Sequence, residues 1–391
     1  MHCYYELLAR CPLKCKHCHL PPEVKEKGVV KSVEQARREF VILNELFGID
    51  SITISGGEPT IHPQLDKVID IARDIFKEVY VITRLVPKKT WLEDVDGVYL
   101  SIDYVFERHD EMRGVKGLFD AKVRALTHDK VHVRSTVLPD NYDDILTLLV
   151  LMRDWREYLP NRNKAPLWTL IPCKDLSGKN VPDGTTMRKI LRLVMKYGLL
   201  KGGRVFIDSP SIRTYLSLYL MSIGEDKFVI DNLRERGGRF CDAVTSLIKV
   251  DYNGIVTACP FFNERIVALE MVSERASDLL VKYRDEFFSR VPKGCEGCSL
   301  LPICGGCRAT YNLDCVVPED YRKLPLALGS LRVSADTGIS SVRWSGSGGV
   351  EGRIGMVSRY VEDRGVGLDI GTATIEDIKM YVGMTGCMRP C

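Results

Sequence analysis

The sequence has no segment that would place the protein in a membrane or send it for export. None of its apolar runs approaches 18 residues, and the longest, at 145–152, is followed by charged residues, so it predicts a buried helix. The first ten residues, MHCYYELLAR, lack the charged and apolar regions of a signal peptide. We therefore expect a cytoplasmic protein with no membrane partner.

The sequence also has no strong excess of charge of one sign. The net charge is +3, and basic and acidic residues are interspersed rather than gathered into basic stripes. This distribution argues against nucleic acid as a partner. Glutamine is scarce, occurring at positions 35 and 64 alone, which is a bias toward residues that survive heat.

Cysteine, by contrast, is abundant. The 391 residues include 14 cysteines, and disulfide bonds do not explain so many in a reducing cytosol, where a dense cysteine count indicates metal ligation or catalysis. Most of them fall into one group before residue 20 and another after residue 240. The sequence therefore predicts two separate metal-binding regions.

Residues 32–198 alternate between β-rich runs and amphipathic stretches. Apolar spacing predicts helices at 32–47 (with Ser32 as N-cap), 63–77, 117–127, 141–157 and 185–198. The predicted strands are 51–55, 78–83, 97–103, 130–138 and 166–172. Such alternation indicates βαβ units of the α/β class. About six units would form a partial (β/α)6 TIM-like barrel with its chemistry on the loops at the carboxyl ends of the strands.

The chain length suggests two or three units. We predict the barrel at 1–200, a less regular bridging region at 201–240, a small cysteine-rich α+β iron-sulfur domain at 241–319, and a Gly/Ser-rich C-terminal module of unknown role at 320–391. The segment 295–307 is short of apolar residues relative to its cysteines. Metal is therefore expected to hold this region together more than a hydrophobic core does.

The first cysteine motif is CPLKCKHC at 11–18, with the spacing C-x3-C-x2-C. Three thiolates are one ligand short of a structural zinc site, for which His17 or His19 would supply the fourth. An iron-sulfur cubane held by three cysteines instead leaves one iron open to a ligand from outside the protein. This motif alone leaves both kinds of site open.

A second motif, SGGEPT at 55–60, follows the predicted strand 51–55. Its two glycines let backbone approach a ligand closely, and its proline fixes the turn. Together, CPLKCKHC and GGEPT closely resemble the motifs of the radical S-adenosylmethionine (SAM) superfamily. The resemblance implies a 4Fe-4S cluster whose fourth iron is chelated by SAM, and it implies these cluster ligands: Cys11, Cys15 and Cys18.

The same resemblance implies further SAM contacts. His17 would contact the adenine, and the turn formed by Gly56, Gly57, Glu58 and Pro59 would bind the amino group. SID at 101–103 resembles a strand-end motif whose serine and acid face the ribose, which are Ser101 and Asp103 here. The following HDEMRGVKGLF, at 109–119, resembles the usual continuation of that motif.

Two further positions have another explanation or differ from the family pattern. Arg134 would pair with the cofactor carboxylate, but a solvated arginine at a strand end explains this residue equally well. Where relatives commonly have T-N-G, this chain has Thr83-Arg84-Leu85, so this loop departs from the family pattern for cofactor contacts.

The later cysteines include CEGC at 295–298 and CGGC at 304–307, which on spacing alone suit a zinc ribbon. Seven cysteines exceed one tetrahedral site, however, and their order resembles the auxiliary-cluster extension called SPASM. The resemblance implies two auxiliary 4Fe-4S clusters, one on Cys241, Cys259 and Cys307 and the other on Cys295, Cys298, Cys304 and Cys315. The first set is one ligand short. Cys387, Cys391 or a bound substrate would complete it, although both terminal cysteines are equally well explained as unligated thiols.

The resemblance implies an enzyme that reductively cleaves SAM to a 5'-deoxyadenosyl radical, with an electron donor such as ferredoxin or flavodoxin. CGGCRA looks most like the subgroup that acts in haem and haem d1 biosynthesis and in some peptide maturases. We expect oxidative modification of a peptide or protein side chain, with a small molecule such as a haem precursor as the alternative substrate. A non-catalytic iron-sulfur protein for electron transfer or redox sensing is the hypothesis from another class.

Two features bear on the substrate. Sulfatase-maturing relatives carry an acid directly after the cysteine that matches Cys259, but Pro260 stands there in this chain, which argues against that activity. Only ten residues precede Cys11, so we expect no leader-binding domain ahead of the first motif, and peptide recognition would need another surface.

Overall fold

The computed structural model describes residues 1–15, 17, 18, 20, 22–175, 177–201, 204–272, 276–310, 313–323 and 372–384. The chain divides into two compact units. The first unit comprises Met1–Leu170 with Ser246–Arg284, and the second comprises Ile171–Thr245 with Asp285–Cys391. The predicted boundaries at 200 and 241 do not coincide with these divisions.

The first unit is built on a mainly parallel sheet. Its strands are β1 (His2–Leu8), β2 (Ser51–Gly56), β3 (Glu78–Thr83), β4 (Gly97–Ser101), β5 (Val131–Val137), β6 (Trp168–Pro172, which ends in the second unit), β8 (Leu247–Val250), β9 (Ile255–Cys259) and β10 (Phe262–Ala268). They lie in the order β10-β9-β8-β1-β2-β3-β4-β5-β6. The predicted α/β class and its parallel strands are confirmed.

Helices follow the strands of the first unit. They are α1 (Pro22–Lys27), α2 (Val33–Phe47), α3 (Leu65–Ile75), α4 (Lys89–Leu92), α5 (Phe106–Arg113), α6 (Leu118–Ala125), α7 (Tyr142–Arg153) and α8 (Trp155–Tyr158). Ser32 caps α2, as predicted, by accepting a hydrogen bond from the backbone N–H of Gln35. Phe40 of this helix packs edge-on against Tyr5 of β1, with ring centroids 4.8 Å apart, so the helix covers one face of the sheet.

The strand order places four loops side by side. β1, β2, β3 and β4 are parallel neighbours, so their carboxyl ends lie along the same edge of the sheet. The loops that leave this edge contain the first cysteine motif, SGGEPT, Thr83-Arg84-Leu85 and SID. This edge is where parallel α/β sheets bind ligands.

The hairpin that carries Cys259 belongs to the first unit. Strand β8 pairs in parallel with β1, with His2 opposite Leu247 and Tyr4 opposite Lys249, and β9 and β10 continue the sheet in antiparallel pairing. Hydrogen bonding to β1 therefore joins this part of the predicted cysteine-rich domain to the barrel sheet.

The second unit is mainly helical. It contains α9 (Gly184–Lys196), β7 (Val205–Ile207), α10 (Pro210–Ser222), α11 (Asp226–Glu235), α13 (Leu301–Cys304), α14 (Glu319–Arg322) and α15 (Ile375–Gly383), while α12 (Ala276–Ser289) crosses from the first unit. Residues 201–240, predicted to be an irregular bridge, instead form β7, α10 and α11. Helix α10 is buried on nearly every side, so it has no polar face from which its period could be recognised.

The last described helix, α15, is an integral part of the second unit. Tyr381 donates a hydrogen bond of 2.7 Å to the carbonyl of Ile207 and accepts one from its N–H. Arg213 and Arg236 both donate to the carbonyl of Met384, at the end of the helix, and both pair with Asp242. Other residues of the predicted C-terminal module, 324–371 and 385–391, lie outside the described ranges. The longest helix in those ranges has 15 residues, and none is long and apolar enough to cross a membrane.

Candidate functional site

The first cysteine motif lies in the loop that leaves the carboxyl end of β1. The backbone N–H of Cys11 donates to the carbonyl of Lys25 in α1 (3.2 Å), and the N–H of Cys18 closes a turn onto the carbonyl of Cys15 (3.2 Å). The thiols of Cys11, Cys15 and Cys18 form no disulfide bonds. Three free thiols within eight residues of one loop are therefore placed to bind one cluster.

The glycine motif is bonded directly to this loop. The N–H of Gly57 donates to the carbonyl of Leu8 (2.7 Å), and the N–H of Glu58 donates to the carbonyl of Arg10 (2.9 Å). Gly56 has a φ of +119°, and a Cβ there would lie 2.2 Å from the Leu8 carbonyl oxygen. Only glycine fits at this position, so the close approach of the two loops explains its presence.

Glu58 is fully buried, and both of its carboxylate oxygens accept hydrogen bonds from the protein. Oε1 accepts from the N–H and the hydroxyl of Thr60 (3.1 and 2.6 Å) and from the hydroxyl of Thr83 (2.6 Å). Oε2 accepts from the N–H of Arg84 (2.7 Å). The carboxylate caps the 3-10 turn that begins at Pro59 and ties it to the loop after β3.

Arg84, in the loop that departs from the T-N-G pattern, also contacts the glycine motif. Its Nη1 donates to the carbonyls of Gly56 (3.0 Å) and Gly57 (2.9 Å). Burial raises the pKa of the Cys11 thiol, while the charge of Arg84 opposes that rise. The arginine thus places a cation at the glycine carbonyls and within electrostatic range of a predicted cluster ligand.

His17 and Asp103 face each other, with Nε2 of His17 3.6 Å from Oδ2 of Asp103. Nδ1 of His17 is buried and has no hydrogen-bond partner among the described residues. Burial lowers the pKa of His17, which favours the neutral ring. Asp103 is 1% exposed and pairs with Arg113, so the structure places it in the wall of the site.

Ser101 and Arg134 are register partners on neighbouring strands β4 and β5. Nη1 of Arg134 donates to the hydroxyl of Tyr4 (3.2 Å), and its guanidinium lies over the Tyr4 and Phe261 rings at 5.4 and 6.0 Å. The backbone carbonyl of Ser101 accepts from Nζ of the buried Lys122. The predicted roles of Ser101 and Arg134 toward SAM remain predictions.

The second unit contains a cavity lined by four cysteines. They are Cys295, Cys298, Cys304 and Cys315, and the other lining residues include Leu300, Leu301, Val317 and Arg322. A Cβ on Gly306 would lie 2.8 Å from Sγ of Cys295, so the chain between Cys304 and Cys307 approaches the cavity closely enough to require glycine. The structure thus brings together the four ligands predicted for the second auxiliary cluster.

The donors around this cavity suit a polynuclear cluster. Across the described ranges, no three Cys, His, Asp or Glu side chains converge closely enough to hold a single metal ion. Four cysteines are also the usual ligand set of a cubane, so the lining is compatible with the predicted second auxiliary cluster. Burial raises the pKa of Cys295 to about 12 and also raises that of Cys304, so iron binding would have to displace protons from these thiols.

The predicted ligands of the first auxiliary cluster fall in different units. Cys259 ends β9 of the first unit, whereas Cys241 and Cys307 belong to the second. Within the second unit, Nζ of Lys174 lies 3.6 Å from Sγ of Cys307. Cys387 and Cys391, the candidate fourth ligands, lie outside the described residues. This ligand set remains a prediction.

One residue of the site, Arg113, was not predicted from the sequence. Its side chain contacts both Asp103 and Sγ of Cys15, 98 positions away in the chain. The sequence feature that could have indicated it is its position in HDEMRG, in the stretch that follows SID.

Comparisons with known proteins agree with this geometry. Residues 5–152 match the sequence model described as the radical SAM superfamily. The chain is 31% identical over 163 residues to the Fe-coproporphyrin III synthase of Methanosarcina barkeri, covering 38% of this chain and 40% of that protein. It is 33% identical over 168 residues to the antilisterial bacteriocin subtilosin biosynthesis protein AlbA of Bacillus subtilis, covering 39% of this chain and 37% of that protein.

A solved structure is similar over more of the chain. Streptococcus suis SuiB bound to precursor peptide SuiA has a TM-score of 0.59 at 19% identity, covering 78% of this chain and 71% of that chain. At this identity the likeness establishes the fold alone. The chain spans about two fifths of the length of the two curated relatives. Radical SAM enzymes use a 4Fe-4S cluster and SAM, and the matched segment contains both motifs that the site brings together. The chain therefore carries a domain of the radical SAM superfamily, at residues 5–152.

Proposed function

We propose that the protein is a radical SAM enzyme of the SPASM type that oxidatively modifies a peptide or protein side chain. One observation carries this proposal, namely that the cysteine loop and the glycine motif are hydrogen-bonded to each other at the carboxyl edge of the sheet. Three thiols and a set of backbone carbonyls are thereby held at one place. An electron-transfer or redox-sensing protein would need the cluster but not the glycine motif.

Different residues of this site would bind the cluster and SAM. Cys11, Cys15 and Cys18 would hold the cluster. The carbonyls of Gly56 and Gly57 accept from Nη1 of Arg84 in the structure, and the second lone pair of each would accept from the ammonium group of SAM. When bound, the cluster and SAM supply a 5'-deoxyadenosyl radical that abstracts hydrogen from the substrate. The protein's own part is to orient the cofactor and to exclude water around it.

The relatives support two substrate classes. SuiB is described as bound to a precursor peptide, and AlbA as a protein of bacteriocin biosynthesis, which favours a peptide here. The similarity to an Fe-coproporphyrin III synthase favours a small molecule, and we retain a haem precursor or related compound as the second candidate. We further propose two auxiliary clusters, a ferredoxin or flavodoxin as electron donor and a cytoplasmic location.

The reaction is tested by anaerobic reconstitution with iron and sulfide, followed by reduction and an assay for 5'-deoxyadenosine. We expect about twelve irons per chain and SAM cleavage. The matched control is the triple variant C11S/C15S/C18S, which should lose about four irons and all of the product. Zinc in place of iron, or no product from fully loaded protein, would refute the proposed function. Iron counts of C387S and C391S test the terminal cysteines separately.

The substrate class is tested by isotope transfer. Extract from deuterated source cells is separated into a peptide fraction and a small-molecule fraction, and each is incubated with the reduced enzyme and unlabelled SAM. Hydrogen abstraction from the true substrate transfers deuterium to 5'-deoxyadenosine, which mass spectrometry detects. Label from the peptide fraction that disappears after protease digestion supports a peptide. Label from the small-molecule fraction alone supports the second candidate.

A further inference from the structure

Arg113, the last residue of α5, forms a buried link between the cysteine loop and the strand that ends at Ser101. Only 3% of its side chain is exposed. Nη1 donates a hydrogen bond of 3.0 Å to Sγ of Cys15, and Nη2 donates to Oδ2 of Asp103. Its backbone carbonyl accepts from the N–H of Lys14, one residue before that cysteine (3.3 Å). The arginine therefore holds the loop through both its backbone and its side chain.

Asp103 fixes the guanidinium in position. Its Oδ1 accepts a hydrogen bond of 2.6 Å from the N–H of Thr136, and its Oδ2 binds Arg113. Burial by itself raises the pKa of Asp103, but the charge of Arg113 outweighs it and brings the pKa down to about 2. The carboxylate is thus ionised throughout the physiological range, and the arginine has a fixed partner on one side.

The ion pair with Asp103 does not explain why Nη1 of Arg113 contacts Sγ of Cys15. Asp103 already balances the arginine's charge, yet Nη1 is directed at sulfur. A neutral thiol is a weak acceptor, whereas a thiolate accepts a strong, charge-assisted hydrogen bond. Cys15 is one of the three predicted ligands of the SAM-binding cluster, and a ligand of iron is a thiolate. The contact therefore makes chemical sense when the cluster is bound.

We propose that Arg113 is a positioning residue that holds the Cys15 thiolate and raises the reduction potential of the cluster bound by Cys11, Cys15 and Cys18. The inference rests on the proposed function. Reduction adds one negative charge to the cluster, and a buried cation at a ligand sulfur stabilises that charge more than it stabilises the oxidised state. Groups that hydrogen-bond to metal ligands commonly change metal affinity or activity by about 10- to 100-fold.

The decisive measurement is the midpoint potential of the SAM-binding cluster in the reconstituted enzyme. Its reduction is monitored through the electron paramagnetic resonance signal that changes when SAM is added. The double variant R113Q/D103N removes both charges of the pair, so neither partner is left as an uncompensated buried charge. We expect its reduced-to-oxidised ratio at a given potential to fall about tenfold, equivalent to about 59 mV for one electron. R113K retains the charge and should shift the ratio by less than half as much on a logarithmic scale.

Arg108 supplies the matched control. It lies on the same helix, is half exposed and pairs with Asp144 rather than with a cysteine. R108Q should therefore have the wild-type potential. A double variant with full iron and an unchanged potential would overturn the proposal. So would a tenfold shift in R113K, and this second result decides the matter if the double variant loses its cluster. If the wild type lacks a SAM-responsive signal, the proposed function fails instead.

Discussion

The substitution E58Q separates two roles for the glutamate of the glycine motif. The family resemblance gives Glu58 to the amino group of SAM, but in the structure four protein donors already bind its two oxygens. If the carboxylate organises the loops, its loss destabilises the protein without any cofactor. If it acts only on bound SAM, the cofactor-free protein keeps its stability and affinity alone falls.

The size of the effect follows from the hydrogen bonds. Glutamine keeps one oxygen, which satisfies Thr60 and Thr83, and places an amide NH2 where Oε2 accepted from the N–H of Arg84. Two donors then face each other in a fully buried position. Loss of a hydrogen bond to a charged group costs about 1.5–3 kcal/mol, and the orphaned N–H adds to this. We expect the free energy of unfolding to fall by about 2–4 kcal/mol.

The assay is denaturant unfolding of the cluster-free protein under reducing, anaerobic conditions, followed by circular dichroism. E45Q, on the exposed side of α2, is the control and should change stability by less than about 0.5 kcal/mol. T83V removes one of the three donors to Oε1 and should cost about 1 kcal/mol. An E58Q protein as stable as E45Q would refute the loop-organising role.

Three further predictions concern other parts of the chain. C304S should lose about four irons relative to wild type because its thiol lines the four-cysteine cavity, whereas C173S should lose none; equal iron in both variants would contradict the ligand assignment. G56A should unfold more readily than wild type and bind SAM more weakly, since a Cβ would lie 2.2 Å from the Leu8 carbonyl oxygen; wild-type stability and affinity would exclude that clash. His132 has its pKa lowered to about 3 by burial and by Arg162, and its Nδ1 accepts two hydrogen bonds. In the unfolded chain the His132 ring binds a proton below about pH 6.5, whereas in the folded protein it stays neutral, so the free energy of unfolding should fall by up to about 1.4 kcal/mol per pH unit as the pH drops. H132Q should show a smaller fall than wild type between unfolding experiments at about pH 7 and 5.5.

Much of the barrel was predictable because its strands and helices carry clear periods. The predicted strand 78–83 has the observed bounds, and 51–55 differs from β2 by one residue. The helix predicted at 141–157 is divided at Asp154, where φ and ψ are −103° and 30°. Short-range pattern thus determines most of these elements, while one residue of irregular backbone can end a helix without an obvious sequence signal.

Strand β1 was not predicted from the sequence, and the reason is physical. All seven residues of HCYYELL are buried, so the strand has no alternation of apolar and polar residues. His2 and Glu6 make it look polar, yet His2 bonds to Ser51 and Thr53 of β2, and Glu6 pairs with Lys249 of β8. These partners lie far away in the sequence, so only the fold reveals why a polar strand is central to the sheet.

The same limit applies to the candidate site. The cysteine and glycine motifs were recognisable because each is contiguous, and adjacent strands of a parallel sheet bring contiguous loops together. The contact between Arg113 and Cys15 joins residues 98 positions apart, and no spacing rule connects them. Asp103 illustrates the same limit, because its ion pair with Arg113 could not be read from the strand-end motif that contains it.

The second cysteine group shows most clearly what geometry adds to spacing. CEGC and CGGC together suggest one tetrad made of the cysteines at 295, 298, 304 and 307. In the structure α13 ends at Cys304, and Gly305 turns the chain with a φ of +81°. Cys307 lies beside Nζ of Lys174, while Cys315 joins the other three in lining the cavity. A zinc ribbon would require Cys307 as the fourth ligand, whereas the cavity lining favours the predicted tetrad that includes Cys315. The assignment of Cys307 to another cluster stays a prediction.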